Sequence, residues 1–136
     1  MNVNFLTAPI PPSFAPPLLS IFRVVVGLLF MSHGLVKLFG FPAGAAPGQA
    51  ALFSLFGLAG VLEAFGGLAV VLGLFTRPAA FILSGQMAVA YFMVHAPKSF
   101  FPILNGGEEA ILYCFAFLYL AAAGAGPWSL DARRDA

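Results

Sequence analysis

Four long apolar segments alternate along the chain with short stretches rich in proline and glycine. The apolar segments cover residues 18–39, 52–74, 78–95 and 108–124. A helix needs about 20 residues, or about 17 at the short end, to cross the hydrocarbon core of a bilayer. Proline and glycine cluster between the segments, at residues 40–47, 76–78 and 97–107, where helices are expected to stop. The pattern predicts an all-α integral membrane protein, a bundle of four transmembrane helices.

The composition indicates that lipid is the solvent. Of the 136 residues, 61% are hydrophobic and only 8% are charged, whereas a soluble domain carries about 25% charged residues. The net charge of +1 provides no basic surface, so nucleic acid is not an expected partner. The single cysteine, Cys114, lies in the fourth apolar segment and has no second cysteine with which to form an internal disulfide.

Charge also predicts the domain organisation and the orientation. Residues 1–17, with five prolines, form an N-terminal arm; residues 18–127 form the transmembrane domain, and residues 128–136 form a polar tail. An even number of spans places both termini on one side of the membrane. The positive-inside rule makes that side cytoplasmic, because it collects four arginines against two lysines on the other side. The arginines are Arg23, Arg77, Arg133 and Arg134, and the lysines are Lys37 and Lys98.

Glu63 is the polar residue at the centre of the second apolar segment. A charged side chain at the bilayer centre costs about 2.5–3.5 kcal/mol, so such a group needs a partner, a cavity or a reaction. Gly60 and Gly67 share its helix face and predict a close contact with another helix. One interpretation is structural, an ion pair with Arg23 or Lys37. The other is functional.

The functional interpretation depends on where the other polar residues fall. His33 and Lys37 lie one turn apart in the outer half of the first span, and His95 ends the third span on the same side. Asn105, Glu108 and Glu109 begin the fourth span there. We therefore predict a polar site in the outer half of the bundle. Its catalytic residues are His33 and Glu63, and its substrate-binding residues are Lys37, His95, Asn105 and Glu108. The structural alternatives are that Lys37 extends to the headgroups and that Glu108 and Glu109 favour a helix N-terminus.

Five short motifs, in order, resemble the DoxX family of small four-helix bacterial membrane proteins. The resemblance covers about residues 18–131. The motifs are S-H-G-L-V-K-L-F-G at residues 32–40, E-A-F-G-G at 63–67 leading to G-L-F-T-R at 73–77, A-Y-F-M-V-H at 90–95, N-G-G-E at 105–108, and G-A-G-P-W-S-L-D at 124–131.

The resemblance implies a multi-pass protein of the bacterial plasma (inner) membrane with a link to redox chemistry. One branch of the family is associated with thiosulfate:quinone oxidoreductase, and others with complexes that contain partner enzymes. We expect a quinone-associated subunit of a membrane oxidoreductase, with the quinone bound non-covalently. His33 and Glu63 would exchange protons, Lys37 would hold a quinone oxygen or an anionic sulfur substrate, and His95 and Glu108 would complete the pocket. A redox partner protein or a small reductant would supply the electrons, and whether this chain itself turns over a substrate stays open.

Two other functions fit the same residues. The protein is alternatively a non-enzymatic small-molecule carrier, or an assembly subunit that holds a partner oxidoreductase at the membrane.

A metal or haem site would use His33 with His95, or His95 with Glu108 and Glu109, but this spacing matches no strong metal motif and no metal site is predicted. The glycine-rich second span also allows a homodimer.

Overall fold

A computed structural model describes residues 5–136, and all the regular structure in that range is helical. The prediction of an all-α fold is thereby confirmed. In chain order the α-helices are α1 (Ala15–Phe39), α2 (Leu55–Leu72), α3 (Thr76–Ala90), α4 (Pro102–Asn105), α5 (Glu108–Ala123) and α6 (Leu130–Arg134). A 3-10 turn at Pro12–Phe14 precedes α1, and α3 continues into a π-helical turn at Tyr91–His95 and a 3-10 turn at Ala96–Lys98.

Three helical stretches in the described part of the chain are long and apolar enough to cross a membrane. They are Pro12–Phe39 with 28 residues, Leu55–Leu72 with 18 and Thr76–Lys98 with 23. Helix α5 lies where the sequence predicts a fourth span. It has 16 residues, whereas the shortest usual transmembrane helices have about 17.

The ends of α1 and α2 follow from local sequence. Gly40 and Gly73 take the left-handed conformation that ends a helix, with φ of 65° and 67°. Ser54 begins α2 as its N-cap, since its hydroxyl accepts a hydrogen bond from the backbone N–H of Gly57 at 3.1 Å. These signals give two antiparallel hairpins, α1 with α2 and α3 with α5.

The helices pack most extensively within each hairpin, and more thinly between the hairpins along α2–α3 and α1–α5. The core lies where all four helices meet, around Phe30, Leu83 and Phe117, and the rings of Phe30 and Phe117 meet edge to face at 4.8 Å. Large apolar side chains cover the outside instead of polar ones; Phe81 and Leu112 are 66% and 70% exposed. An apolar core inside an apolar exterior is the arrangement that lipid favours.

Glycines set the distance between α1 and α2. A Cβ added to Gly34 would lie 2.7 Å from the carbonyl oxygen of Gly60 and 2.8 Å from Cα of Ala64, so no larger residue fits. Gly67 lies about two turns along α2 from Gly60, and a Cβ added there would lie 2.9 Å from Cα of Met31. The face of α2 that carries Glu63 therefore packs directly against α1, as the glycine spacing predicts.

At the end of the bundle where α2 finishes and α3 begins, the chain after α5 packs back onto the helices. Arg23 is 1% exposed; its guanidinium donates to the carbonyl oxygens of Ala125 and Trp128, the latter at 2.8 Å. Asp131 accepts hydrogen bonds from the backbone N–H groups of Phe75 and Thr76 at 2.8 and 2.9 Å. Much of the segment predicted as a polar tail is thus held against the membrane domain.

Arg77 has a structural role beyond a topology signal. Its guanidinium donates to the carbonyl oxygens of Ala121 and Ala122, which belong to the last turn of α5 and lack partners within that helix. A cation at this position also interacts favourably with the helix dipole. Arg77 therefore links the start of α3 to the end of α5 through hydrogen bonds.

Candidate functional site

Glu63 forms an ion pair with Lys37 across the α1–α2 contact. Lys37 Nζ lies 2.6 Å from Oε1 and 2.8 Å from Oε2 of the carboxylate. Only 3% of the Glu63 side chain and 15% of the Lys37 side chain are exposed. Of the two cations considered as partners for Glu63, the structure selects Lys37, because Arg23 is bonded to carbonyl oxygens at the other end of the bundle.

Gln86 of α3 is a third member of this group. Its Nε2 donates to Oε1 of Glu63 at 3.2 Å, with a longer contact of 3.5 Å to the carbonyl oxygen of Ala59. Sequence reasoning does not place Gln86 beside Glu63. Its one signal is that it is a polar residue within an otherwise apolar span.

His33 lies one turn before Lys37 on α1 and bonds to a different carboxylate. Its Nε2 lies 2.7 Å from Oε1 of Glu109, at the start of α5. Both side chains are open, with 43% and 62% exposed. The ring of Tyr113 meets the imidazole edge-on, at 6.0 Å between centroids. His33 and Glu109 therefore lie between the buried ion pair and the exposed surface.

A second polar group forms around Asn105, which is 2% exposed. Its Nδ2 donates to Ser99 O at 3.0 Å and to Tyr91 Oη at 3.2 Å, and its Oδ1 accepts from Gly107 N at 2.7 Å. His95 Nδ1 lies 3.0 Å from the Asn105 carbonyl oxygen. Since the Asn105 amide already holds three partners, it fixes the turn into α5.

The single site predicted from the sequence is thus divided in the structure. His33, Lys37 and Glu63 lie along the α1–α2 contact and its edge with α5, whereas His95 and Asn105 belong to the second group. No hydrogen bond or ion pair among residues 5–136 joins the two groups. Glu108 is exposed and has no such partner in that range. Within it, too, no three His, Cys, Asp or Glu side chains converge as metal ligands would.

Two cavities open on the surface. One, of about 380 Å³, is apolar and lies beside the end of α1 and the start of α2, and neither Lys37 nor Glu63 lines it. Its lining residues are Leu38, Phe39, Gln49, Ala50, Leu52, Val61 and Phe65. The other, of about 440 Å³, lies at the opposite end, between Arg77, Asp131 and Arg134, and contains none of the predicted site residues.

These features define a small helical membrane protein with a buried lysine–glutamate pair between its first two spans. The chain belongs to the DoxX family, whose family model matches residues 18–96, more than half of the sequence. It is 45% identical to an uncharacterized protein of Haemophilus influenzae over 122 residues, covering 87% of this chain and 91% of that protein. It is also 31% identical to an uncharacterized membrane protein of Mycobacterium tuberculosis over 135 residues, covering 87% and 82% of the two chains. No solved structure matches the chain significantly.

Proposed function

We propose that this protein is a subunit of a quinone-linked oxidoreductase in the bacterial plasma (inner) membrane. The observation that carries the proposal is the Lys37–Glu63 pair, buried within helices that otherwise present apolar side chains. Replacing a buried ion pair by well-packed apolar residues is often neutral or stabilising, so burial of such a pair is weak evidence for a purely stabilising role. Ionisable groups within a membrane domain commonly mark proton, ion or substrate pathways.

The chemistry of these residues fits a quinone. The Lys37 ammonium has three N–H groups, and the two oxygens of Glu63 occupy two of them. The third is available to a ligand carbonyl oxygen. A quinone, when bound, supplies a redox change of two electrons and two protons. Glu63, in hydrogen-bond contact with Lys37, is the group that would give or take a proton beside that oxygen.

A proton at the buried pair also needs a route to water. His33 lies one turn from Lys37 and contacts Glu109, which is 62% exposed. An imidazole and a carboxylate are suited to pass protons between the site and the outer surface. We assign proton exchange to Glu63 and His33 and ligand binding to Lys37. We assign His95 and Glu108 no direct contact with the ion pair, and Asn105 fixes the turn into α5.

The electrons must come from elsewhere, because the sequence carries no flavin or iron–sulfur motif. A partner protein or a small reductant, such as an anionic sulfur compound, is the proposed donor. The proposal thus concerns a quinone site within a larger redox system.

The orientation proposed from the sequence has four spans and both termini in the cytoplasm. The contacts at the two ends of α5 support a fourth crossing. Its first turn meets His33 through Glu109, and its last turn meets Arg77, near the end where Arg23 is bonded. Helix α5 therefore extends along most of the length of α1 despite its 16 residues.

The test is mass spectrometry of the lipid-soluble molecules that remain with gently purified protein. Wild type is compared with Glu63→Gln, and with Asp135→Asn as a control that removes an exposed carboxylate at the other end of the bundle. We expect quinone enriched over bulk lipid in wild type and in Asp135→Asn, and lost in Glu63→Gln. Equal quinone content in all three proteins would contradict the proposal.

A second candidate is a non-enzymatic carrier or assembly subunit. The observation that favours it is that each carboxylate oxygen of Glu63 already accepts a hydrogen bond from within the same chain. Under this alternative the pair only fixes α1 against α2. A soluble partner recovered in stoichiometric amount from membranes supports assembly, and solute flux in liposomes supports a carrier, in both cases without enriched quinone.

A further inference from the structure

The larger of the two cavities lies where apolar helices end. Its volume is about 440 Å³, and its walls come from the start of α3, the end of α5 and the chain that follows α5. Thr76 begins α3 and Ala123 ends α5. In a bilayer the ends of membrane-spanning helices lie among the polar headgroups. Trp128, adjacent in sequence to the lining residue Ser129, is 62% exposed, and tryptophan favours the same interface.

Arg77 lines this cavity with one edge of its guanidinium unused. Nη1 donates to the carbonyl oxygens of Ala121 and Ala122, whereas neither Nε nor Nη2 donates to any residue between 5 and 136. Nε and Nη2 form one edge of the guanidinium, and the two parallel N–H groups of such an edge fit two oxygens of a carboxylate or a phosphate. The residue is exposed, so an anion can reach this edge from the cavity.

Gly124 leaves space beside that edge. A Cβ added to Gly124 would lie 3.1 Å from Nη2 and 3.4 Å from Nε of Arg77. A larger residue would therefore crowd the two unused donors. Gly124 also has a φ of 86°, which glycine adopts readily and other residues do not. The residue that ends α5 thus keeps the guanidinium accessible.

The other charged side chains of the cavity have partners of opposite charge. Asp131 accepts two backbone hydrogen bonds, and Arg134 lies 3.6 Å from Asp131 and 3.2 Å from Asp135. Within residues 5–136, Arg77 takes part in no ion pair. The cavity therefore contains a cation that lacks a carboxylate partner, together with an open two-donor edge.

We infer that Arg77 is a lipid-binding residue whose Nε–Nη2 edge holds the phosphate of a membrane phospholipid. Basic pockets between transmembrane helices bind phospholipid headgroups in this way. Phe81 lies one turn after Arg77 on the same face of α3 and is 66% exposed, so an acyl chain attached to the phosphate can lie along that face. Both leaflets contain phosphate, and the inference therefore depends neither on the orientation of the chain nor on the quinone proposal.

The test measures lipid binding to delipidated protein in detergent by native mass spectrometry. The probes are phosphatidylethanolamine and a diacylglycerol with the same acyl chains, which lacks the phosphate. The third probe, inorganic phosphate, is titrated by calorimetry. The proteins are wild type, Arg77→Gln, Arg77→Lys, and Arg133→Gln as a control that removes an exposed arginine outside the cavity.

We expect wild type and Arg133→Gln to bind the phospholipid about tenfold more tightly than the diacylglycerol, the effect of charge-assisted hydrogen bonds at an exposed site. Neither protein is expected to bind inorganic phosphate, which has no acyl chain to contact α3. In Arg77→Gln the preference for the phospholipid is expected to disappear, with the affinity for the diacylglycerol unchanged. Arg77→Lys keeps a cation for the carbonyl oxygens of α5 but lacks the paired N–H groups, so it is expected to fold and to lose most of the preference.

Three results would overturn the inference. Equal affinity of wild type for the two lipids would assign the open edge of Arg77 to water. A preference that persists in either Arg77 variant would place the phosphate elsewhere. Binding of inorganic phosphate by wild type as tightly as of phosphatidylethanolamine would make the ligand a free anion. If Arg77→Gln fails to fold, Arg77→Lys decides the matter.

Discussion

Lys37 and Glu63 contact each other at two points, with Nζ 2.6 Å from one carboxylate oxygen and 2.8 Å from the other. The contact lies where Gly34 and Gly60 bring the backbones of α1 and α2 together. Only 3% of the Glu63 side chain is exposed, so its charge has little contact with solvent in the folded protein. Each charge is therefore tolerated because of the other.

Removing one member of the pair is expected to destabilise the protein far more than removing both. Lys37→Met and Glu63→Met each leave an unpaired buried charge, at a cost of about 3–5 kcal/mol, whereas the double variant recovers most of the loss. The measurement is unfolding by denaturing detergent in mixed micelles, followed by circular dichroism. Lys98→Met, which removes an exposed lysine, is the control. Additive effects in the double variant would show that the two side chains act independently.

The His33–Glu109 pair is expected to contribute little to stability. Both side chains are open to solvent, and exposed pairs are worth about 0–1 kcal/mol. His33→Gln is therefore expected to change the unfolding free energy by about 0.5 kcal/mol or less, while it slows proton exchange with the site. The measurements are detergent unfolding and the pH dependence of quinone reduction by the native complex. A large loss of stability with an unchanged pH profile would assign His33 a structural role instead.

Gly34→Ala is expected to separate α1 from α2 and to lower stability by about 1–3 kcal/mol, because the new methyl group would overlap the backbone of α2. Gly85→Ala is the matched control, since nothing lies within 4 Å of a Cβ at that position. Thermal unfolding in one detergent compares the two variants. Equal midpoints would mean that the α1–α2 contact adjusts without cost.

Asp131 makes a pH-dependent contribution at the other end of the bundle. Burial acts to raise its pKa, but the hydrogen bonds from Thr76 and Phe75 and the charge of Arg134 outweigh it and hold the pKa below the ordinary 3.8. An acid with a lowered pKa in the folded state stabilises above its unfolded pKa, and this stabilisation is lost as the pH falls through the folded value. Asp131→Asn is therefore expected to cost about 1 kcal/mol at pH 7, because asparagine carries no charge and has one acceptor oxygen for the two backbone N–H groups.

The difference between wild type and Asp131→Asn is expected to be constant from about pH 5 to 8 and to shrink below about pH 4. Asp135→Asn, at an exposed position in the same segment, is the control. Stability measured across this pH range checks the prediction. A difference that persists at pH 2 would mean that the geometry of the cap, and not its charge, provides the stability.

The four-span topology predicts where reporter domains are active. A fluorescent protein fused after Ala136 is expected to fluoresce and alkaline phosphatase at the same place to be inactive, because the proposed topology places the C-terminus in the cytoplasm. Fusions within the loop at residues 99–101 are expected to give the opposite pattern. The same reporter active at both positions would show that α5 does not cross.

The sequence predicts the positions of the helices in this protein well. It predicts the contacts between polar side chains less well. Uninterrupted apolar runs and glycine stops indicate where α1, α2, α3 and α5 lie to within a few residues. Which polar residues meet depends on how each helix is rotated about its axis. In a membrane both the buried and the lipid-facing sides of a helix are apolar, so hydropathy carries little information about that rotation.

Particular residues illustrate the difference. Small residues around Glu63 indicate a contact with another helix, and Lys37 is one of two partners that the sequence allows. Gln86 is not recognised as part of that group, since a single amide gives no spacing pattern. Arg23 and Arg77 are interpreted from the sequence as charges that orient the chain. Their backbone carbonyl partners cannot be recognised from sequence, because every residue carries a carbonyl group.

The packing of the last segment onto α1 has a consequence for biosynthesis. Arg23 and its acceptor Trp128 are 105 positions apart, and chains are made from the N-terminus at about 5–20 residues per second. The first span therefore leaves the ribosome with a guanidinium whose final acceptors do not yet exist. Until they are synthesised, water, lipid phosphates or the insertion machinery must solvate that charge. The hydrogen bonds that hold Arg23 in the folded protein therefore form only after Ala125 and Trp128 have been synthesised.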